Sequence, residues 1–167
     1  MLQVYTGNGK GKTTAALGLA LRASGAGLNV YIGQFAKGRN YNELKALKKI
    51  DNIRVEQFGR RCFIKKTPEK IDIQMAQAGL KRLNEIISAR KYRVVILDEV
   101  NIAVKLKLIP LSGLLELIKH TPKNIELVLT GRYAHPEIVR LADLVSQVKE
   151  VKHYYAKGVK ARPGIEF

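Results

Sequence analysis

Cysteine occurs once in the 167 residues, at Cys62, so no intrachain disulfide can form and the disulfide-stapled secreted classes are excluded. Acidic residues are scarce: 14 Asp+Glu stand against 30 Lys+Arg, a net charge of +16. No apolar run approaches the length that spans a bilayer, so no membrane partner is expected. The chain opens directly on an apolar strand and lacks a signal-peptide layout, and together with the lone cysteine this predicts a cytoplasmic location. Linkers, low-complexity segments and internal repeats are also missing. A hydrophobic content of 46% excludes disorder, and the length suits one domain, taken as residues 1–167, with a sizeable core.

The positive excess raises nucleic acid as a partner. Basic residues crowd Lys37 to Lys70, Lys81 to Arg93 and Lys149 to Arg162, but they are mixed with acids and carry no recognised nucleic-acid motif. A solvated basic surface that helps neutralise a polyphosphate is the preferred reading. It leaves weak binding at low salt and no specific nucleic-acid partner.

What is present is concentrated near the start. Thr6-Gly7-Asn8-Gly9-Lys10-Gly11-Lys12-Thr13-Thr14 follows a short apolar strand, Leu2-Gln3-Val4-Tyr5, and precedes a small-residue helix from Ala15 to Leu21. Strand, glycine-rich turn, Gly-Lys-Thr and helix is the layout of a phosphate-binding P-loop. Glycines let backbone N–H groups turn inward around an anion, and the following helix directs its positive end at it. Lys12 adds a mobile cation, and the Thr13 hydroxyl can ligate the Mg2+ that accompanies a nucleoside triphosphate. The first glycine of the common pattern is replaced by Thr6.

Strand-like and helix-like segments alternate through the rest. Asn29 to Phe35, Ile53 to Phe58, Arg93 to Leu97, Ile125 to Leu129 and Leu144 to Val151 read as strands; Tyr41 to Ile50, Leu111 to Lys119 and His135 to Ala142 read as helices. A long helix opens at Thr67-Pro68-Glu69, with Thr67 as N-cap, and carries a core stripe of Ile71, Met75, Leu83, Ile86 and Ile87. This alternation predicts an α/β fold: a P-loop, RecA-like, mostly parallel sheet with helices on both faces. Ligands of such sheets sit at the carboxyl ends of the strands, which puts the P-loop, Gln34-Phe35, Asp98-Glu99 and Thr130-Gly131-Arg132 on one rim.

Val94-Val95-Ile96-Leu97-Asp98-Glu99 has the Walker B layout, in which a buried strand delivers a carboxylate beside the metal. Asp98 would hold Mg2+ directly or through water, and Glu99 would orient it or act as base. Arg132 either contacts a phosphate or the charge developing on a leaving group, or is a surface arginine after a tight turn. Gln34 and Lys37 follow the second strand and can meet either substrate. The three histidines show no metal-ligand spacing. These residues specify a P-loop protein using ATP or GTP with Mg2+, and they do not name the group transferred.

The chain resembles the P-loop ATP:corrinoid adenosyltransferases from its first strand to its last residue. The resemblance rests on Tyr5 to Ala16 with Thr6 in the family's own form, Gln34-Phe35-Ala36-Lys37-Gly38, Leu97-Asp98-Glu99-Val100-Asn101, Leu129 to Arg132, Ala142 to Val145, and Gly164-Ile165-Glu166. It implies attack of a reduced Co(I) corrinoid on the 5′ carbon of ATP, with departure of the whole triphosphate. ATP would lie reversed in the loop formed by Thr6 to Thr14, with Lys12, Lys10, the loop amides and Mg2+ stabilising the leaving oxygen. Glu99 and Arg132 complete the implied catalytic set; Thr13, Asp98 and Glu99 form the metal set. Phe63 is the implied aromatic wall for the corrin ring, with Gln34 and Lys37 beside it. There is no tryptophan to complete the family's aromatic pair, so Ile64 or Cys62 takes that place. A homodimer and a flavoprotein reductase supplying Co(I) are further implications. A P-loop ATPase with a nucleic-acid-binding surface is the alternative from another class.

Overall fold

The computed structural model describes residues 1–38, 41–60 and 67–166. Six strands form one sheet: β1 (Leu2–Thr6), β2 (Val30–Phe35), β3 (Ile53–Phe58), β4 (Val94–Asp98), β5 (Glu126–Thr130) and β6 (Leu144–Gln147). Their order is β3-β2-β4-β5-β1-β6, and every pairing is parallel. The expected mostly parallel α/β sheet is therefore found. Parallel neighbours require crossovers, and helices supply them.

Side chains alternate between two cores, as the period of two in a strand dictates. Val30 and Ile32 of β2, Val94 and Ile96 of β4, and Val128 of β5 face α1 (Lys12–Gly25) and α2 (Asn42–Leu47) through Ala16, Ala20, Ala23 and Leu47. Tyr31, Phe35, Val95, Leu97, Leu127 and Leu129 face the opposite layer. That layer holds α3 (Lys70–Ser88), α4 (Val100–Lys105), α5 (Leu111–His120) and α6 (Pro136–Leu141). The central strands are thus buried on both sides, which is why they read as continuous apolar runs.

Three expectations are corrected. The long helix is capped by Glu69, not Thr67, through a reciprocal capping box with Asp72. Arg60 selects that start by gripping Asp72 with two hydrogen bonds of 2.7 and 2.8 Å and Glu69 with a third of 3.0 Å. For the same reason the buried face of α3 begins at Asp72 and continues through Ala76, Gly79, Leu80 and Leu83, whereas Ile71 is 43% exposed. The last strand ends at Gln147 because the Val148 backbone turns to brace the loop after β1: its N–H donates to Thr6 O and its carbonyl accepts from Gly9 N, both at 2.8 Å. A further helix, α4, begins directly after Asp98-Glu99, in a stretch to which the sequence assigns no element.

Candidate active site

The loop between β1 and α1 is shaped by residues that only glycine can replace. Gly7 has φ +95°, and a Cβ there would meet Val148 O at 2.4 Å. Gly11, with φ +117°, is the N-cap of α1 and offers no side chain to its free N–H groups. The positive end of a 14-residue helix without an acid in its first turn therefore opens into a cleft lined by Lys12, Thr13 and Thr14. Lys12 is 7% exposed and donates to Gly9 O at 2.6 Å, so its ammonium spans the hollow of the loop. Burial draws its pKa below the ordinary lysine value, and Arg132 and Lys37 add to that against the pull of Glu99 and Asp98.

Asp98 ends β4 fully enclosed, and four donors fill its carboxylate. Oδ1 accepts from Thr13 Oγ1 at 2.9 Å and Thr130 Oγ1 at 2.7 Å; Oδ2 accepts from Lys37 Nζ at 2.7 Å and Gln34 Nε2 at 3.2 Å. Burial alone would raise its pKa, but the Lys37 ammonium and these hydrogen bonds outweigh it and hold the carboxyl below the usual range. Reciprocally, burial would lower Lys37, and Asp98 and Glu99 raise it instead. Glu99 has the opposite environment. Its backbone is left-handed, with φ 59°, and its N–H donates to Thr130 Oγ1 at 3.0 Å. Its side chain lines the cleft, where burial raises its pKa despite Lys37, Lys12 and Arg132 nearby.

Thr13 at the start of α1, and Asp98 and Glu99 at the end of β4, are hard oxygen donors, the chemistry Mg2+ prefers. Among the described residues no group of three or more His, Cys, Asp or Glu is disposed to hold a metal alone. Such a donor set fits an ion that completes its shell with phosphate oxygens and water.

The cleft has a volume of about 1170 Å³, somewhat above the roughly 300–1,000 Å³ of most ligand pockets. Its floor is Gly9 to Thr14; Leu17, Leu21, Ala36, Tyr41, Ile102 and Leu106 give it apolar walls. Lys10, Lys37, Glu99 and Arg132 line it as well. Thr6, Gly7, Asn8 and Asp98 are not part of the lining: the Thr6 hydroxyl accepts from Ala134 N at 3.4 Å, and Asn8 is exposed. Gln34 is corrected. It is fully buried, with its amide on Asp98 and its oxygen accepting from Gln57 at 3.0 Å, so it supports Asp98 and does not meet a second substrate. Phe63, with Cys62 and Ile64, lies outside the described residues. Gly59 and Arg60, which precede that segment, pack directly on Ala36 to Gly38 at the cleft rim.

Two features of the site escape sequence reasoning. The C-terminal stretch folds over the P-loop: Lys10 Nζ is 2.5 Å from Tyr154 Oη, 2.9 Å from Glu166 Oε1 and 3.2 Å from Ile165 O. Tyr154 also donates to Glu166, and Arg162 bonds the same carboxylate, so Glu166 is held far below the usual range by Arg162, Tyr154 and Lys10. Gly164, Ile165, Glu166 and His153 thereby become cleft wall. The second is Asn101, fully buried on α4, whose amide donates to Gly131 O at 3.3 Å and ties the turn carrying Arg132 to the Walker B strand end. Its membership in the Leu97–Asn101 motif was the available signal.

Comparison with known proteins follows the same lines. The family model described as "ATP:corrinoid adenosyltransferase BtuR/CobO/CobP" matches residues 1–167. A corrinoid adenosyltransferase of Pseudomonas aeruginosa is 33% identical over 185 residues, covering 100% of this chain and 83% of that protein. The corrinoid adenosyltransferase CobA of Salmonella typhimurium is 34% identical over 164 residues, covering 98% and 84%. Among solved structures, a KaiC-like protein of Pyrococcus horikoshii aligns with a TM-score of 0.60 over 90% of this chain and 73% of its own, at 14% identity. That likeness concerns the fold alone.

Proposed function

The chain belongs to the ATP:corrinoid adenosyltransferase family, and from this premise we propose that it transfers the 5′-deoxyadenosyl group of ATP to a reduced Co(I) corrinoid, cobalamin or a precursor such as cob(I)yrinic acid a,c-diamide, and releases triphosphate. It is a transferase whose family uses ATP and corrinoids as substrates. The observation that carries the finer reading is a cleft with a cationic, amide-lined floor for a triphosphate and an adjoining apolar wall, large enough for a nucleotide beside part of a second substrate.

The step balances simply. The cobalt electron pair forms the bond to C5′, the C5′–O bond breaks, and the triphosphate departs with that bond's electrons. The protein has no nucleophile to supply. Lys12 and the loop amides stabilise charge on the leaving oxygen, Arg132 and Lys10 extend that field, and the walls exclude water. Mg2+, when bound, would add electrostatic stabilisation of the triphosphate, held by Thr13, Glu99 and Asp98. Phe63 supplies the aromatic surface for the corrin ring in this reading, with Lys37 at the rim. A homodimer, a flavoprotein reductase as electron donor and a cytoplasmic location complete the proposal; no helix among the described residues is long and apolar enough to cross a membrane.

Phosphorus NMR of the products tests the bond that breaks. Triphosphate is the expected product; ADP would indicate a kinase and orthophosphate a hydrolase. Two variants test individual roles. Glu99→Gln is expected to lower the rate and the Mg2+ affinity by about 10–100-fold. Because burial raises the Glu99 pKa, its proton returns at a higher pH than for an ordinary glutamate, so the wild-type Mg2+ requirement should climb as pH falls and the variant's should not. Equal metal titrations for both proteins would make Glu99 structural. Phe63→Ala should raise the corrinoid concentration needed for half-maximal rate and leave the ATP dependence unchanged; an unaltered corrinoid titration would move the aromatic wall elsewhere.

A further inference from the structure

Lys37 stands where a metal would be expected to stand. Its ammonium lies 2.7 Å from Asp98 Oδ2 and 3.2 Å from Thr13 Oγ1, the two protein groups of the strand end and helix start. Asp98 has room for about four hydrogen bonds and already accepts four. A metal that approaches this carboxylate must therefore displace one donor. Thr130 and Gln34 cannot leave: both are fully buried, on β5 and β2. Lys37 can. It follows β2 on a loop, lines the cleft, and carries a flexible four-carbon stem. The Tyr41 ring, with its centroid 5.7 Å from Nζ, also lines the cleft and offers the ammonium a second resting place. An ammonium and a dication a few ångströms apart repel strongly in a nearly enclosed site.

We propose that Lys37 and the divalent metal are alternative cations for the Asp98–Thr13 pair, so that binding one excludes the other and metal entry drives the Lys37 ammonium toward Tyr41 and the cleft. This rests on the reading of Thr13 and Asp98 as metal-side groups. Lys37 is thereby a positioning residue: it keeps the buried carboxylate charged and oriented, and the exchange delivers its ammonium to the space the triphosphate occupies.

The test is binding of Mn2+ alone, read by electron paramagnetic resonance on the full chain without nucleotide or corrinoid. Lys37→Met and Lys37→Gln are each expected to bind Mn2+ at least about tenfold more tightly than wild type, because the competing cation is gone. The double variant Thr13→Ala/Lys37→Met should lose that gain. Unchanged or weaker Mn2+ binding in both single variants would overturn the proposal, as would a gain that survives removal of the Thr13 hydroxyl. A wild-type measurement guards against misfolding of the variants. Acylation of Lys37, followed by peptide mass spectrometry, should rise several-fold when Mn2+ is added, and an unchanged rate would also overturn it. Neither readout involves turnover. Failure of adenosyl transfer would thus leave this exchange standing, and failure of the exchange would leave the transferase reading standing.

Discussion

Lys12→Ala is expected to reduce adenosyl transfer by about 10²–10³-fold, while the melting temperature stays within a few degrees of wild type. Removing a single donor to a developing oxyanion costs about 2.7–4 kcal/mol of transition-state stabilisation. The Lys12 ammonium sits at the helix entry and spans the loop hollow, and its neighbours cannot replace it. Lys10 is tied to Tyr154 and Glu166, and Lys37, held by Asp98 without metal and displaced toward Tyr41 with it, does not enter the hollow of the loop that Lys12 spans. Stability should survive because the ammonium makes one hydrogen bond, to Gly9 O, and burial already disfavours its charged form. Single-turnover rates alongside ATP binding separate the two roles: the rate should collapse much further than the affinity. Near-normal turnover in a folded variant would remove the P-loop from the chemistry.

Asp98→Ala carries the largest expected effect on stability. It strands the Lys37 ammonium and leaves Thr130 and Gln34, both fully buried, without their acceptor. Breaking a buried ion pair by removing one partner costs about 3–5 kcal/mol, and for a chain of this length that lowers the melting temperature by about 6–20 °C. The pH dependence follows from the directions of the shifts. The folded-state pKa of Asp98 is depressed, so its contribution is present above the ordinary aspartate value of about 4 and is lost as pH falls through the folded value. Lys37 is raised, so its contribution is present below about 10.4 and is lost as pH rises beyond that through its folded value. Urea unfolding should therefore show a wild-type advantage over Asp98→Asn that is full near neutrality and shrinks below about pH 4. An advantage independent of pH would mean that the carboxylate charge is not what holds the cluster.

How far these residues could be read in advance depended on how local their chemistry is. The P-loop was legible because its determinants are contiguous: glycines that set positive φ, then Lys12 and Thr13 at a helix start. The parallel sheet was legible for a similar reason, since strands buried on both faces write themselves as runs such as Val94 to Leu97. The position of Asp98 followed from that run, but its partners did not. Lys37 and Gln34 are brought to it by strand pairing of β2 with β4, and Gln34 in consequence supports the carboxylate instead of facing a substrate. The contact of Lys10 with Tyr154 and Glu166 spans 144 and 156 positions, beyond any spacing rule. By residue type Thr67 is the better cap, and Arg60, two residues beyond β3, favours Glu69 by bonding both Glu69 and Asp72. Helix α4 was hidden because six residues are too few to display a period.

The central claim is tested most directly by an anaerobic assay with ATP, Mg2+ and chemically reduced cobalamin, following Co(I) absorbance and the phosphate product in the same vessel. The account predicts loss of Co(I) in step with an adenosyl–cobalt product and intact triphosphate, in equal amounts. Persistence of Co(I), with orthophosphate released faster when nucleic acid is added, would contradict it and assign the basic cleft to an ATPase.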